Sequence, residues 1–198
     1  MAEGTTWLDQ VREKLDRPWP ERDPILTEGS GAASVRDAAV LVPLYVRDKE
    51  LFTLFTKRTE KVKKHKGQIS FPGGGKEPSD ENLWVTATRE TEEEIGVPRD
   101  AVKILGALPP LVTVTDFRIS PFVGAIPYPV EWKPDEVEVE KILEIPISYL
   151  VNPLATEEQE ITWKGRPVRT KVYHYHGHAI WGATAHILSD LLEVLQGS

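Results

Sequence analysis

The 198-residue chain contains no cysteine. Disulfides, thiolate nucleophiles, iron–sulfur clusters and cysteine-ligated zinc are thereby excluded, while the redox compartment stays open. No apolar run approaches the roughly 20 residues that a membrane-spanning helix needs. The N-terminal MAEGTTWLDQVREK has no apolar core of signal-peptide length, and Leu195-Gln196-Gly197-Ser198 is neither a retention nor a peroxisomal ending. A cytoplasmic location with no membrane partner is the default expectation. Positive charge is in the minority, with Lys plus Arg at 24 against 31 Asp plus Glu, a net charge of -7. That balance argues against nucleic-acid binding, which usually needs a basic face. If the substrate is anionic, something must offset the protein's own field, and a metal ion is one candidate.

The composition is otherwise ordinary, with 40% hydrophobic and 28% charged residues. This length accommodates one compact domain. Trp7, Val11 and Leu15 recur every four residues and predict a helix over 6–16, followed by a Pro-, Gly- and Ser-rich loop over 17–34. The apolar run from Ala38, the turn Asp48-Lys49-Glu50 and the run Leu51 to Thr56 predict a hairpin over 38–56. Residues 57–66 carry Lys57, Arg58, Lys61, Lys63, Lys64 and Lys66. A short strand over 68–71 then runs into Pro72-Gly73-Gly74-Gly75, which reads as a close-approach loop.

Pro78 and Ser79 predict a helix start and Gly96 its stop. Strand-like runs follow at 102–108, 111–115 and 119–126, with shorter ones near 161–163 and 170–175. A terminal helix is expected over about 179–195, from the spacing of Ile180, Thr184, Ile187, Leu191 and Val194. Strands with one central and one terminal helix suggest a mixed sheet with helices packed on it.

The most informative segment is Arg89-Glu90-Thr91-Glu92-Glu93-Glu94. On a helix Glu90, Glu93 and Glu94 share one face, where like charges cost stability. Trp84, Thr88, Thr91 and Ile95 fall on another face. The acidic face is either simply solvated or a divalent-cation site, since oxygen-rich clusters suit Mg²⁺ or Mn²⁺ held together with substrate phosphates. Glycines leading into the helix and a basic segment just before it make a consistent phosphoanhydride-cleaving set.

Here the chain resembles a known family. Gly75, five residues, Glu81, seven residues, then Arg89-Glu90-Thr91-Glu92-Glu93-Glu94-Ile95-Gly96-Val97 matches the Nudix box, with Thr91 where an aliphatic residue is usual. Leu54 to Arg58, His65 to Gly74, Asp135-Glu136-Val137 and Ile180 to Ala185 resemble the coenzyme A pyrophosphatase branch of that family. The resemblance spans roughly 36–192. It implies an α/β fold, a Nudix-type α/β/α sandwich with a mixed β-sheet and a loop–helix–loop catalytic motif. The whole chain, 1–198, is expected to form a single domain, with core 36–192 and an N-terminal helix and loop over 1–35.

The same resemblance implies that Glu90 and Glu94 are the main ligands of Mg²⁺ or Mn²⁺. Glu93 would be a further ligand or help to activate water, the Gly74 carbonyl would complete the metal shell, and Arg89 would orient Glu90. Glu136, or Asp135, would bring a further catalytic carboxylate. Arg58, His65, Lys66 and Gln68 are candidates for substrate contacts. Glu81 lies nine residues before Glu90, half a turn out of phase at about 100° per residue, which disfavours it as a ligand.

His174, His176 and His178 alternate, so on a strand they would share a face that could hold metal. The segment from Trp181 to Ala185 suits core packing or a pantetheine-side contact. The expected function is metal-dependent hydrolysis of the pyrophosphate in coenzyme A or its thioesters, giving 3′,5′-ADP and (acyl-)4′-phosphopantetheine. A Nudix pyrophosphatase for NADH or ADP-ribose is the alternative, and a non-catalytic Nudix-fold binding module is a third. The partner would be a small nucleotide substrate, and a homodimer is the base-rate assembly.

Overall fold

The computed structural model describes residues 6–16, 35–60, 66–113, 116–163 and 166–197. The predicted loop over 17–34 lies outside them, as do Lys61, Lys63, Lys64 and the candidate contact His65.

Helix α1, Trp7–Leu15, starts at a capping box in which Thr6 and Asp9 satisfy each other's backbone N–H. It buries Val11 and Leu15. Strands β1, Arg36–Arg47, and β2, Glu50–Arg58, form the expected hairpin. Asp48 and Lys49 both have positive φ (52° and 68°), as a two-residue primed turn requires. The remaining elements are β3 (Ile69–Ser70), β4 (Gly73–Gly75), α2 (Leu83–Ile95), β5 (Lys103–Ala107), β6 (Leu111–Val112), β7 (Phe117–Ala125) and β8 (Val139–Pro146). After these come α3 (Ile147–Leu150), β9 (Thr156–Trp163), β10 (Arg166–Tyr175), β11 (His178–Ile180) and α4 (Gly182–Gln196).

The main sheet is mixed. β1 runs parallel to β7 and antiparallel to β2, while β5 and β6 pair antiparallel with β7. Alternation along β1 divides the core in two. Val42 and Leu44 pack with Val11, Leu15, Leu188 and Leu191, under α1 and α4. Ala39, Leu41 and Tyr45 pack with Ala87, Ile95 and Val97, under α2. The result is the expected α/β/α sandwich. β9, β10 and β11 form a separate antiparallel sheet.

The sheet forks between β1 and β2. Thr53 pairs with Leu44 of β1, and Thr56, farther along the same strand, pairs with Ser70 of β3. β8 occupies the other edge of β2 from Phe52 to Arg58. Likewise β1 pairs with β2 through Leu44–Arg47 and with β4 through Ala38–Val40. Residues 69–75 therefore form a wedge between two diverging strands, and Leu41 N–H donating to Pro72 O at 2.9 Å closes it. The glycine run expected as a loop is a strand here. Side chains would obstruct it: a Cβ on Gly73 would fall 2.3 Å from Ala39 O.

Three further expectations change. α2 begins at Leu83 rather than at Pro78-Ser79, because the Asn82 side chain accepts from Val85 N–H and caps the helix. Its end at Gly96, in the left-handed region with φ of 76°, is as expected. α4 starts at Gly182 rather than Ala179, because Ala179 and Ile180 are taken up by pairing with His174 and Tyr173. β8 was not expected: Leu143 and Ile145 alternate with Glu144, which Tyr45 and Arg47 hold.

Candidate active site

Helix α2 lies across β1 and β4 and presents two faces. Ala87, Thr91 and Ile95, at i, i+4 and i+8, are fully buried. The Thr91 hydroxyl, at the position where an aliphatic residue is usual, donates to Ala87 O at 2.6 Å, so its burial leaves no orphaned group. The other face directs Glu90 and Glu94 at the glycine strand. A Cβ on Gly74 would meet the Glu90 carboxylate at 2.5 to 2.7 Å, so only glycine allows that carboxylate to rest on the backbone. Gly73 N–H donates to Glu94 Oε2 at 3.4 Å.

Two arginines organise the carboxylates. Arg89 donates from Nε and Nη2 to the two oxygens of Asp80, both at 3.0 Å. Its Nη1 lies 3.0 Å from Glu90 Oε1 and 3.0 Å from Glu93 Oε2, and Nη2 also donates to Gly75 O at 3.2 Å. Arg58 reaches Glu94 at 3.4 Å and Glu138 at 3.0 Å. The backbone brings Glu138 there: Lys133 and Asp135 donate N–H to the last α2 carbonyls at Ile95 and Glu94. Thr59 Oγ1 then donates to Val137 O at 2.7 Å.

The electrostatics are unbalanced. Five carboxylates face two guanidinium groups. Glu94 is buried and its hydrogen bonds are long, so burial drives its carboxyl up to about 8 despite Arg58. Burial also raises Glu90, against the pull of Arg89. Asp80 goes the other way, held well below the usual carboxylate range by its hydrogen bonds from Arg89.

Among the described residues, no three His, Asp or Glu side chains gather closely enough to enclose a metal unaided. Glu90, Glu93 and Glu94 are each turned onto an arginine or onto glycine backbone. The donor set nevertheless fits a hard divalent cation. It offers oxygen ligands only, includes a buried carboxylate poor in compensating charge, and has a glycine backbone a side chain would block.

The structure thus brings Glu90, Glu93, Glu94, Arg89 and Gly74 together. Arg58 joins them as an ion-pair partner of the carboxylates rather than as a free cation. Gln68 O accepts from Arg58 N–H at 2.9 Å, and Lys66 is exposed on the adjoining turn. From the 135–138 segment it is Glu138 that reaches Arg58, while Glu136 is exposed at the start of the same turn. Sequence reasoning missed Glu138, and nothing in Asp135-Glu136-Val137-Glu138 singles it out. It missed Asp80 also, whose signal is a lone aspartate in the turn before the helix. Glu81 lies before Asn82, outside α2, and is exposed, so its helical phase has no bearing.

The histidines do not share a strand face. His176 has φ of 45° and sits in the turn joining β10 to β11, where it stacks on Tyr149. His174 pairs instead with Glu157 at 3.1 Å. Beside Glu90, an open groove of about 680 Å³ runs past Gly75 to the starts of β1 and β7. There the Arg36 guanidinium lies 4.1 Å above the centre of the Phe117 ring.

This fold and this helix–glycine site define a Nudix-type centre, and residues 35–163 match the NUDIX domain. The chain belongs to the Nudix family and is a Nudix pyrophosphatase. It is 38% identical over 180 residues to a protein of Enterobacter sp. (strain 638) described as uncharacterized Nudix hydrolase NudL, covering 91% of this chain and 89% of that one. The same description is carried by a Salmonella paratyphi B protein, 36% identical over 79% of this chain and 81% of that one.

Among solved structures, a MutT/nudix family protein from Enterococcus faecalis superposes with a TM-score of 0.55 at 13% identity, covering 96% of this chain and 74% of its own. A NUDIX hydrolase from Alicyclobacillus acidocaldarius gives 0.51 at 22% identity, covering 60% and 82%. These two likenesses speak to the fold alone. Among the described residues no helix is long and apolar enough to cross a membrane.

Proposed function

We propose that the chain hydrolyses the pyrophosphate of coenzyme A or its thioesters, with Mg²⁺ or Mn²⁺, to 3′,5′-ADP and (acyl-)4′-phosphopantetheine. The observation that carries the reaction class is the placement of Glu90 and Glu94 against the side-chain-free strand Gly73–Gly75. The choice of coenzyme A rests on the segments 54–58, 65–74, 135–137 and 180–185, and their mutual contacts support it. Arg58 pairs with Glu138, next to the third segment, and Thr184 of the fourth donates to Ile69 O of the second at 3.2 Å.

Glu90 and Glu94 would hold the cation, with Glu93 and the Gly74 carbonyl as further donors. Bound there, the ion lowers the pKa of the attacking water and neutralises charge growing on the phosphate oxygens. Arg89 is a positioning residue, fixing Glu90 and Glu93 while Asp80 fixes it in turn. Glu138, or Glu136 on the same turn, supplies the further carboxylate. Arg58, Lys66, Gln68 and His65 are assigned to the phosphates. Water adds to one phosphorus, the bridging P–O bond breaks, and the other phosphate departs with the bridging oxygen.

The test is incubation with Mg²⁺ and a panel of coenzyme A, acetyl-coenzyme A, NADH and ADP-ribose, with products identified by mass. Coenzyme A cleavage to 3′,5′-ADP, abolished by chelation and restored by Mg²⁺ or Mn²⁺, is expected. Turnover of NADH but not coenzyme A would overturn the substrate assignment. Metal binding with no turnover of any compound would point to a binding module.

A further inference from the structure

The groove beside Glu90 shares a wall with the carboxylate site but supplies different chemistry. Arg36 and Phe117 are cross-strand partners in the parallel β1–β7 pairing, so the sheet register itself stacks the guanidinium on the ring. Arg36 is exposed, which leaves a flat, cationic platform open to the groove. Around it stand the exposed carboxylates Asp37 and Glu77 and the exposed ammonium of Lys76. This wall is anchored. Lys76 N–H donates to Asp37 O, and Glu77 N–H to Asp80 Oδ2, both at 2.9 Å. Asp80 is the residue that grips Arg89, so one clamp positions both Glu90 and the groove wall.

We propose that this groove is the nucleobase subsite, taking an amino-bearing purine against the Arg36–Phe117 pair. Guanidinium planes and aromatic rings are the surfaces on which unpaired bases stack. The carboxylate oxygens of Asp37 and Glu77 are hydrogen-bond acceptors, which suits an exocyclic amine and disfavours a ring carbonyl at that edge. The shared wall at Gly75 and Glu90 places a base in the groove next to a diphosphate held at the acidic helix. The inference rests on the hydrolase reading above for the identity of the diphosphate, and on the groove itself for the base.

The experiment measures kcat and KM for coenzyme A, and for its analogue with a 6-oxopurine base, in wild type, Arg36→Gln, Phe117→Leu and Asp37→Asn/Glu77→Gln. Binding of adenosine 5′-monophosphate is titrated in parallel in chelator. Arg36→Gln and Phe117→Leu should each raise KM for coenzyme A roughly tenfold, the cost of one stacking contact, with kcat within about twofold. Their affinity for the monophosphate should fall in step. Wild type should prefer the 6-amino over the 6-oxo base, and the double variant should lose that preference.

Unchanged KM and unchanged monophosphate affinity in both stacking variants would overturn the proposal, as would a double variant that keeps the wild-type base preference. If no diphosphate is turned over but monophosphate binding still weakens in the variants, the subsite stands and the hydrolase reading falls. Arg36 is solvent-exposed, so its variant keeps the test open should Phe117→Leu fail to fold.

Discussion

Arg89 and Asp80 form a bidentate pair, with two hydrogen bonds of 3.0 Å between side chains that are 10% and 2% exposed. Removing one partner of a buried pair leaves an uncompensated charge. Asp80→Ala should therefore cost about 3–5 kcal/mol in urea unfolding. It should also lower kcat, because Arg89 then loses its hold on Glu90 and Glu93. Retained stability would show the pair to be dispensable.

The same pair sets an acid limb. Hydrogen bonds from Arg89 keep the Asp80 carboxyl below the usual range, even though burial pushes the other way. Its contribution is therefore complete above about pH 4, where an unfolded aspartate ionises, and is lost as pH falls toward the lower folded-state value. The stability gap between wild type and Asp80→Asn should narrow below pH 4 in urea titrations run at several pH values. A gap that stayed constant would assign the effect to packing.

Glu94→Gln should fold like wild type, because burial already favours the uncharged form there. Turnover should drop roughly 10³-fold, the loss of a metal-binding carboxylate worth several kcal/mol at the transition state. Thermal melts and single-turnover rates together check this. Wild-type turnover would remove Glu94 from the proposed ligand set.

Gly74→Ala inserts a methyl group where the Glu90 carboxylate now lies, 2.5 to 2.7 Å away. The carboxylate must move by about an ångström, and misplacement on that scale costs roughly 10²-fold in rate. Melting should change little by comparison. A variant as active as wild type would mean that Glu90 works from another position.

Glu138→Gln and Glu136→Gln separate the two acids of the 136–138 turn. Glu138 meets Arg58, whereas Glu136, at the start of the same turn, is exposed. Rate assays should show a roughly hundredfold loss for Glu138→Gln, the lower end for a positioned acid–base group. Glu136→Gln should stay near wild type, and the reverse order would return the role to Glu136.

What was legible in the sequence was what is local. The period of α1, the turn at Asp48-Lys49 and the glycine stop at Gly96 can each be read from a few adjacent residues. So can the shared face of Glu90 and Glu94, which helix geometry dictates. Long-range partners were not legible. Gly73–Gly75 looks like a loop because glycine weakens isolated strands, and only the fork between β1 and β2 makes a strand of it. Asp80 and Glu138 are unremarkable acids until Arg89 and Arg58 reach them. Arg36 and Phe117, some eighty positions apart in the chain, meet only through the sheet.

The stretch that leaves β2 at Arg58 returns at Ile69 on the same strand, tied by Arg58 N–H to Gln68 O and by the pairing of Lys57 with Ile69. Both ends are thus riveted to the scaffold independently of what lies between. A change of chain length between these two anchors would leave the glycine wedge and the acidic helix in place, since lengthening a connection between fixed ends costs little closure entropy. The length of that stretch and the position of the box carboxylates are thus set by separate parts of the sheet, so one can be altered without displacing the other.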